Sequence, residues 1–406
     1  ILTNNSSGSA PSTTAAYMLW ADTSNNILKM RNSANDGWID LRTLTGGVTS
    51  TADATINSIT VGKGANSVAG NTVLGESALD ASVSGGNNTA IGKDALTALT
   101  SGTRNTAVGS LALDANTTGS HNVAVGAGAT LSANTSGIYN VAIGDSALSA
   151  NTTANQNVAV GFGALLTNTT GAGNTGLGHS ALFSSTTSSN NTAVGNLALY
   201  ANTTGTNNVA VGANALDANT TADHNTAVGK DALTESTTGS QNTAVGSLAL
   251  DANTTGSDNT CLGQFSLSGN TTGAENTATG QAALAENTTG GQNTAVGNDA
   301  LRNNTTASAN TAVGKSALQL NTTGIYNTAI GYLALDANTT ANNNTAVGTN
   351  SLSACTTGTQ NTALGSYALN TSTTSNDNTA VGYVALQVNT TGTKNTAVGA
   401  FALDAN

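Results

Sequence analysis

The chain has 406 residues and a formal net charge of −11, and only 8% of its residues are charged and 3% aromatic. Its ten Lys and Arg residues are scattered, which argues against binding a nucleic-acid backbone, because such binding needs clustered basic side chains. No apolar run is long enough to cross a bilayer as a helix, and the low charge is unlike that of an ordinary catalytic domain.

Residues 1–45 predict a small N-terminal β-module. Three short apolar runs at 17–20, 27–31 and 38–42 are separated by turn-forming residues, which is typical of a three-stranded meander. Such a meander is too small for a core of its own, so we expect it to pack on partner chains. The chain starts at Ile1 without an initiator Met or signal peptide, and we expect it to be a segment of a longer protein.

The stretch that follows connects this module to a repetitive region. Residues 46–57 begin with two glycines and are rich in Thr, Ser and Ala, which predicts a linker. Residues 58–70 are interpreted as a lead-in coil, because Ser58 to Gly62 imitates the strand of the repeats.

Residues 71–406 form a tandem array of twenty repeats. Each begins with Asn, from Asn71 to Asn395, at a step of 17 with one step of 18 after Asn122. The consensus is N-T-A-V-G-x-x-A-L-x-A-N-T-T-G-x-x, and places in it are called positions 1 to 17 below. The extra residue lies near Thr130 and is interpreted as a β-bulge. The array stops at Asn406 without a capping sequence, so we expect the native protein to continue.

Several positions of the repeat have a physical interpretation. Position 5 is Gly in every copy, which predicts a positive φ or a close approach of neighbouring backbone. The Gly of position 15 is less strict, so a positive φ is not expected there; Ala replaces it at Ala154, Ala222, Ala307 and Ala341. Position 9 is always Leu and position 4 is aliphatic except for Thr279. These two positions are predicted to form the core.

The repeats predict an all-β fold. Every repeat contains Gly, Asn and Thr, which are poor helix formers, whereas positions 2–4 favour a short strand and the segment A-L-x-A-N a second one. One repeat is then one coil of a parallel β-solenoid, and twenty coils at about 4.8 Å each give a rod of about 95 Å. The single Pro of the chain, Pro11, lies outside the array, as a continuous ladder requires.

The same alternation predicts partner chains. Adjacent residues of a strand point to opposite faces, so Ala at position 3 and Val at position 4 cannot both be buried in one thin coil. A lone solenoid would carry a row of Val, Ile and Leu along its outside, which indicates an interface. We therefore predict a homo-oligomer along a common axis.

No arrangement of residues predicts a catalytic, cofactor or metal site. Cys261 and Cys355 lie more than five coils apart, too far for a disulfide, and the three histidines, His121, His179 and His224, lie in different coils. Asp at position 10 is interpreted as a solubility device that opposes sideways aggregation; it occurs at Asp80, Asp114, Asp217, Asp251, Asp336 and Asp404.

Two further patterns have alternative interpretations. Asn-Thr-Thr, as at Asn116, Asn202, Asn253 and Asn321, matches the N-glycosylation acceptor, but we favour a turn that stacks on its copies as a hydrogen-bonded ladder. Aromatic residues at positions 6 and 7 are expected on a turn, where they could stack on sugar rings; they are Phe162, Phe265, Tyr332, Tyr367, Tyr383 and Phe401.

The N-T-A-V-G repeat resembles the Asn-Thr-Ala-Val/Ile-Gly repeats of bacteriophage tail fibres and of trimeric autotransporter adhesin heads, over residues 58–406. The segment from Leu19 to Trp38 also resembles a short module of tail-fibre proteins. The resemblance implies a left-handed parallel β-roll wound as a homotrimer. The coil is longer than in adhesin heads, and no coiled-coil stalk or membrane anchor is visible in the sequence, which favours the phage family.

The resulting prediction is a non-enzymatic structural protein, the rigid trimeric shaft of a phage tail fibre or virion appendage that serves host attachment. Its expected partners are its own copies, other virion tail proteins at one end, and a host glycan or protein receptor at a distal tip. The alternative is a bacterial extracellular adhesin or filament at the cell surface. Ice binding and polysaccharide cleavage are less favoured, since extended Thr-Thr pairs point to opposite faces and no carboxylate pair at a usable spacing was found.

Overall fold

The computed structural model describes residues 6–7, 9–10, 18–25, 27–34, 36, 38–43, 53–128 and 130–404. Apart from a 3-10 turn at Ala65–Ser67, its regular elements are β-strands in two separate sheets. The all-β prediction is therefore confirmed.

The first sheet is the N-terminal meander. Strands β2 (Leu19–Asp22), β3 (Ile27–Arg31) and β4 (Trp38–Thr43) pair antiparallel in sequence order, as predicted. A short additional strand, β1 (Ser6–Ser7), pairs parallel with β2. The small sheet thus has four strands within the part of the chain that the structure describes.

Two tryptophans and an ion pair hold this meander together. The rings of Trp20 and Trp38 lie 5.3 Å apart, and Trp20 is buried. Lys29 Nζ lies over the Trp20 ring and 3.3 Å from the carboxylate of Asp22. Asp22 also accepts hydrogen bonds from Asn25 Nδ2 and Ser24 Oγ, and these bonds hold the pKa of its carboxyl well below the usual range.

The second sheet is a parallel β-solenoid with one short strand in each coil. It is preceded by β5 (Ala54–Ile56) and β6 (Ile59–Gly62). The coil strands β7 to β26 are Thr72–Gly75, Thr89–Ile91, Thr106–Val108, Val123–Val125, Val141–Ile143, Val158–Val160, Thr175–Leu177, Thr192–Val194, Val209–Val211, Thr226–Val228, Thr243–Val245, Thr260–Leu262, Thr277–Thr279, Thr294–Val296, Thr311–Val313, Thr328–Ile330, Thr345–Val347, Thr362–Leu364, Thr379–Val381 and Thr396–Val398.

The register of the coil strands follows the repeat. Thr89 pairs with Thr106 and Ala90 with Ala107, and the same step of 17 recurs along the ladder. Between β10 and β11 the step is 18, since Val123 pairs with Val141. Both strands keep regular pairing, so the extra residue lies in the turn after β10 and is not a β-bulge within the ladder. Thr130 fills the place of the usual Ala and donates its hydroxyl to the carbonyl of Gly144 at 2.8 Å.

The start of the solenoid differs from the prediction. Strand β6, within the predicted lead-in coil, pairs antiparallel with β7, and β5, within the predicted linker, pairs antiparallel with β6. The segment 53–62 is therefore a hairpin that covers the first edge of the parallel sheet rather than a coil of it. The rest of the predicted linker, 46–52, lies outside the described residues, as do the last two residues of the predicted shaft.

The second strand predicted at A-L-x-A-N is absent from every described coil, where this segment forms turns. Leu113 at position 9 has φ 53° and Leu111 at position 7 has φ 60°, both left-handed. The backbone of the turn bonds to neighbouring coils all the same: Leu113 N donates to Thr130 O and Gly109 N to Ile91 O. Hydrogen bonds between coils thus continue through the turns and stabilise a conformation that Leu does not favour by itself.

The core of each coil is thin and made of small residues. Ala at position 3, Ala at position 8 and Leu at position 9 are buried, as Ala107, Ala112 and Leu113 show at 0% exposure. The prediction that position 4 belongs to the core is wrong for the single chain, because strand residues 2 and 4 point outward together. The predicted burial of the Leu row is confirmed.

Glycine at position 5 is required for both predicted reasons. In all copies but Gly75 its φ is between 126° and 154°, a region that costs other residues strain. A Cβ atom on Gly246 would lie 2.4 Å from the carbonyl oxygen of Gly263 in the next coil. By contrast, the glycines of position 15, such as Gly256, have no positive φ, as the Ala substitutions there predicted.

Asparagine at position 1 forms a buried ladder along the whole array. From Asn88 onward, the backbone N–H of each such Asn donates to the side-chain Oδ1 of the Asn one coil earlier, at 2.8 to 3.1 Å; Asn259 to Asn242 and Asn276 to Asn259 are examples. Its own Nδ2 donates to the position 15 carbonyl of the same coil. Each side chain satisfies buried backbone groups of a turn, which explains why a polar residue occupies the core.

A second buried ladder runs through position 12 but is interrupted. Asn287 Nδ2 donates to Asn270 Oδ1 at 2.8 Å, and this pattern runs from Asn253 to Asn338. Where the next coil carries Ser185, Ser236 or Cys355, the preceding Asn Oδ1 accepts no hydrogen bond from the described residues; these oxygens belong to Asn168, Asn219 and Asn338. Each interruption leaves a buried acceptor unsatisfied, which is destabilising.

Restoring this ladder should stabilise the protein. We expect Ser236→Asn to raise the free energy of unfolding by about 1 kcal/mol, because the new amide can donate to Asn219 Oδ1 and accept from Asn253 Nδ2. Denaturant unfolding followed by circular dichroism measures the change. Ser185→Asn is the matched control: Ser185 already bonds to Ser188 Oγ at 2.5 Å, so we expect a smaller gain there. An equal or lower stability of Ser236→Asn would contradict the ladder argument.

Candidate interaction surfaces

The most extensive surface of uniform chemistry is the outer face of the coil strands, formed by positions 2 and 4 and called the strand face here. Each three-residue strand buries its middle residue and turns the flanking two outward. Position 2 is Thr or Val, and position 4 is Val, Ile or Leu except at Thr279. The larger position 4 side chains stay exposed, with Leu177 at 46% and Leu262 at 50%.

The strand face carries no charged residue in any of the twenty coils. Charged side chains of the shaft lie instead on the turns, as at Lys93, Lys230, Asp231 and Arg302. Adjacent coils place their position 4 side chains in line, since the strands pair in register. The outcome is an apolar stripe along the solenoid, interrupted at Thr279, as the sequence predicted, and a stripe of this extent is typical of a protein interface.

No family model matches the chain, and no match was found among curated proteins or solved structures. Within the residues that the structure describes, no helix is long and apolar enough to cross a membrane.

The two cysteines lie in the core and not at a surface. Cys261 replaces Ala at position 3 and Cys355 replaces Asn at position 12, both at 0% exposure and both as free thiols. Burial raises the pKa of the Cys355 thiol to about 11 and that of Cys261 further. Such thiols are protonated at neutral pH and unreactive.

The structure does not bring the three histidines together. His121 stacks on Tyr139 at 4.8 Å, and His179 stacks on Phe162 at 5.4 Å. Across the described ranges, no group of three His, Cys, Asp or Glu side chains could hold a metal ion. In this part of the chain, His121 and His179 extend columns of stacked side chains.

Aspartate at position 10 is more buried than a solubility device requires. Asp114, Asp217, Asp251 and Asp336 each have a buried Oδ1 that accepts no hydrogen bond from the described residues. Burial raises the pKa of all four carboxyls above the ordinary value of 3.8. The nearby carboxylates of Glu235 and Asp231 add to the effect at Asp217 and Asp251.

The raised pKa values of these four aspartates predict that mild acid stabilises the solenoid. A carboxyl whose pKa is higher in the folded state than in the unfolded state stabilises the fold below pH 3.8, and this contribution is lost as the pH rises through the folded value. The lowered pKa of Asp231, set by Lys230 and Asn214, gives stability that is present above pH 3.8 and is lost as the pH falls below it, outside the range from about pH 4 to pH 7.

The urea midpoint should therefore be higher at about pH 4 than at about pH 7. The difference should shrink when all four aspartates are replaced by Asn. A midpoint that falls on acidification in the wild type and is unaffected by the replacements would contradict the burial argument.

The Asn-Thr-Thr segments are structural, as favoured. Asn116, Asn202, Asn253 and Asn321 are at 0% exposure, and their Nδ2 atoms donate to the position 15 carbonyl of the same coil. The following Thr hydroxyl donates to the Thr carbonyl of the next coil, as Thr254 does to Thr271 at 3.0 Å. The nitrogen that glycosylation needs is inaccessible in the folded chain.

The aromatic residues of positions 6 and 7 lie on the surface turns, as expected. Phe162, Tyr332, Tyr383 and Phe401 are between 49% and 57% exposed. Sequence reasoning missed two structural roles nearby. Phe183 and Tyr200 at position 10 stack at 5.2 Å, and Gly163 leaves room for the Phe183 ring. No local signal marks these pairs, because their partners are one coil apart.

A pocket of about 260 Å³ lies at the N-terminal end of the solenoid, lined by Asp53, Thr60, Ser67 and Asp80 among others. Asp53 accepts hydrogen bonds from the backbone N–H groups of Lys63 at 2.7 Å and Gly64 at 2.5 Å. Its carboxylate thus ties the start of the hairpin to the residues that follow β6, and we assign it a structural role.

Proposed function

We propose that the chain is the shaft of a homotrimeric attachment fibre on a phage tail or another virion appendage. In this role the shaft holds a receptor-binding tip at a distance from the particle. Its partners are two further copies of itself, other tail proteins at one end, and a host-surface glycan or protein receptor through a tip outside this chain. No catalytic step is part of the proposal.

The observation that carries the proposal is the charge-free strand face. Solenoid stability grows with each stacked coil, and the buried Asn ladders and thin Ala core give a stiff, extended unit suited to a fibre. The outward Val, Leu and Ile side chains of the strand face, exposed at Leu177, Leu262 and Leu364, favour lateral packing with chains of the same period, because such chains repeat at the same spacing. Copies of this chain meet that condition.

The number of chains rests on the resemblance of the N-T-A-V-G repeat to trimeric fibres and adhesin heads. A closed ring of three copies around the long axis would bring three strand faces to the centre and leave the charged turns in water. Closed symmetry of this kind also prevents open-ended sideways growth.

Immunogold labelling tests where the protein acts. An antiserum raised against the full chain is applied to virion fractions and to washed cells from the source culture. Label on particle appendages supports the fibre, whereas label confined to the cell surface supports the adhesin alternative and contradicts the virion assignment.

A further inference from the structure

One group of aromatic side chains differs from the others on the shaft. Tyr367, Val384 and Phe401 occupy position 7 of three successive coils, and Tyr383 at position 6 touches both rings. Val384 is only 8% exposed, whereas Tyr367 and Tyr383 are 36% and 51% exposed. We call these four residues the aromatic cluster.

The rings of the aromatic cluster are not stacked on one another. Tyr383 lies at 87° to Tyr367 and at 88° to Phe401, with centroid distances of 6.4 and 5.4 Å. The pairs Phe162–His179 and Phe183–Tyr200 are instead nearly parallel, at 18° and 20°. Parallel rings each cover one face of the other, whereas in an edge-to-face pair only one of the two rings has a face covered.

The aromatic cluster also sits on a costly backbone. Tyr367, Val384 and Phe401 have φ values of 60°, 62° and 56°, a conformation that is unfavourable for bulky residues and most of all for β-branched Val. Most other coils carry Gly, Ser, Asp or Asn at this position, which tolerate it better. In other coils leucine has the same positive φ at this position, at Leu111, Leu197, Leu248 and Leu333. The exposed rings, and not the backbone conformation, therefore indicate a binding role.

The surroundings indicate a neutral, hydroxyl-rich ligand. In the coils that begin at Asn344, Asn361 and Asn378, positions 6, 7, 10 and 11 carry no charged residue, and in the coil of Phe401 they carry only Asp404. Hydroxyl and amide side chains occupy these positions instead, including Ser366, Asn370 and Gln387. The coil of Asn225, by comparison, has three charged side chains at the same positions: Lys230, Asp231 and Glu235.

A second copy of the chain is a poorer fit to this cluster. A contact between copies repeats in each coil, as the uniform strand face does, whereas positions 6 and 7 vary from Lys to Phe along the array. We propose that the aromatic cluster binds a neutral polysaccharide, with pyranose C–H faces against the Tyr rings and sugar hydroxyls toward the amide and hydroxyl groups. This places a receptor contact on the shaft itself, beyond the supporting role proposed above.

Affinity electrophoresis of the full chain tests this binding. Native gels contain dextran, mannan or xyloglucan as neutral probes, and alginate as a charged one. We expect at least one neutral probe to retard the wild type, and Tyr383→Ala to weaken that binding at least about tenfold. Tyr383→Phe should retain most of it. Tyr200→Ala, which removes a stacked ring, should bind like the wild type.

Several results would overturn the inference. These are retardation by alginate alone, no retardation by any neutral probe, or unchanged retardation of Tyr383→Ala. Circular dichroism and the native mass are recorded on the same samples. A lower mass of Tyr383→Ala would identify the cluster as a contact between copies and so also contradict sugar binding, whereas a monomeric wild type that still binds would contradict only the trimer.

Discussion

Replacing Gly246 by alanine is expected to destabilise the solenoid by at least about 3 kcal/mol. Gly246 has φ 142°, and an added Cβ would lie 2.4 Å from the carbonyl oxygen of Gly263 and 2.6 Å from its carbon. Neither the unfavourable φ nor the clash can relax, because the strand before this glycine is held in register with both neighbouring coils. Denaturant unfolding followed by circular dichroism should show a lower midpoint, and the transition should split at this coil.

The matched control is Gly256→Ala in the same coil. Gly256 has no positive φ, and the chain itself carries Ala at this repeat position in four other coils. Position 15 of the two adjacent coils is also glycine, at Gly239 and Gly273. Each natural Ala of position 15 likewise has glycine at this position in both adjacent coils. We expect a loss of about 1 kcal/mol or less. A Cβ atom on Gly256 would lie 2.3 Å from the carbonyl oxygen of Gly273, so the two variants differ in the positive φ of position 5. Equal losses would contradict the conclusion that this φ is what requires glycine there.

Placing charge on the strand face is expected to dissociate the assembly. Val228→Asp combined with Val245→Asp puts two carboxylates on adjacent coils of this face, where Val228 pairs with Val245. In an assembled fibre these charges would be buried without partners, which costs several kcal/mol. We therefore expect association to weaken at least about 100-fold, the effect of roughly 2.8 kcal/mol. Sedimentation velocity over a concentration series measures it.

A charge on the turn of the same coil provides the comparison. Ser247→Asp at position 6 lies outside the strand face and should leave the assembled mass unchanged. Far-ultraviolet circular dichroism of the double variant should still show β-structure, because its side chains point away from the coil interior. A double variant with the mass of the wild type would show that the strand face is not the interface.

The repeat made much of this fold predictable. The regular spacing of Asn and an invariant Gly after N-T-A-V were enough to predict coils, their step and the strand at Thr106–Val108. The A-L-x-A-N segment could not be predicted correctly from local preferences, because Leu113 adopts a left-handed conformation that only bonds to neighbouring coils stabilise. The antiparallel hairpin was also hidden, since alternation looks the same in either strand direction.

The surfaces were predictable to different degrees. The apolar stripe followed from alternation within N-T-A-V, although position 4 was also assigned to the core. The Asn ladders were foreseen for the Asn-Thr-Thr turn but not for Asn at position 1, whose burial depends on partners one coil away. The aromatic cluster combines residues of three coils, and only the angles between its rings separate it from the stacked pairs.

Native mass measurement of the full chain tests the central claim most directly. We expect an assembly of three chains of 39.6 kDa each, stable on dilution to submicromolar concentration and seen as a straight rod by electron microscopy. A single 39.6 kDa species at micromolar concentration would contradict the claim that the strand face is buried between copies.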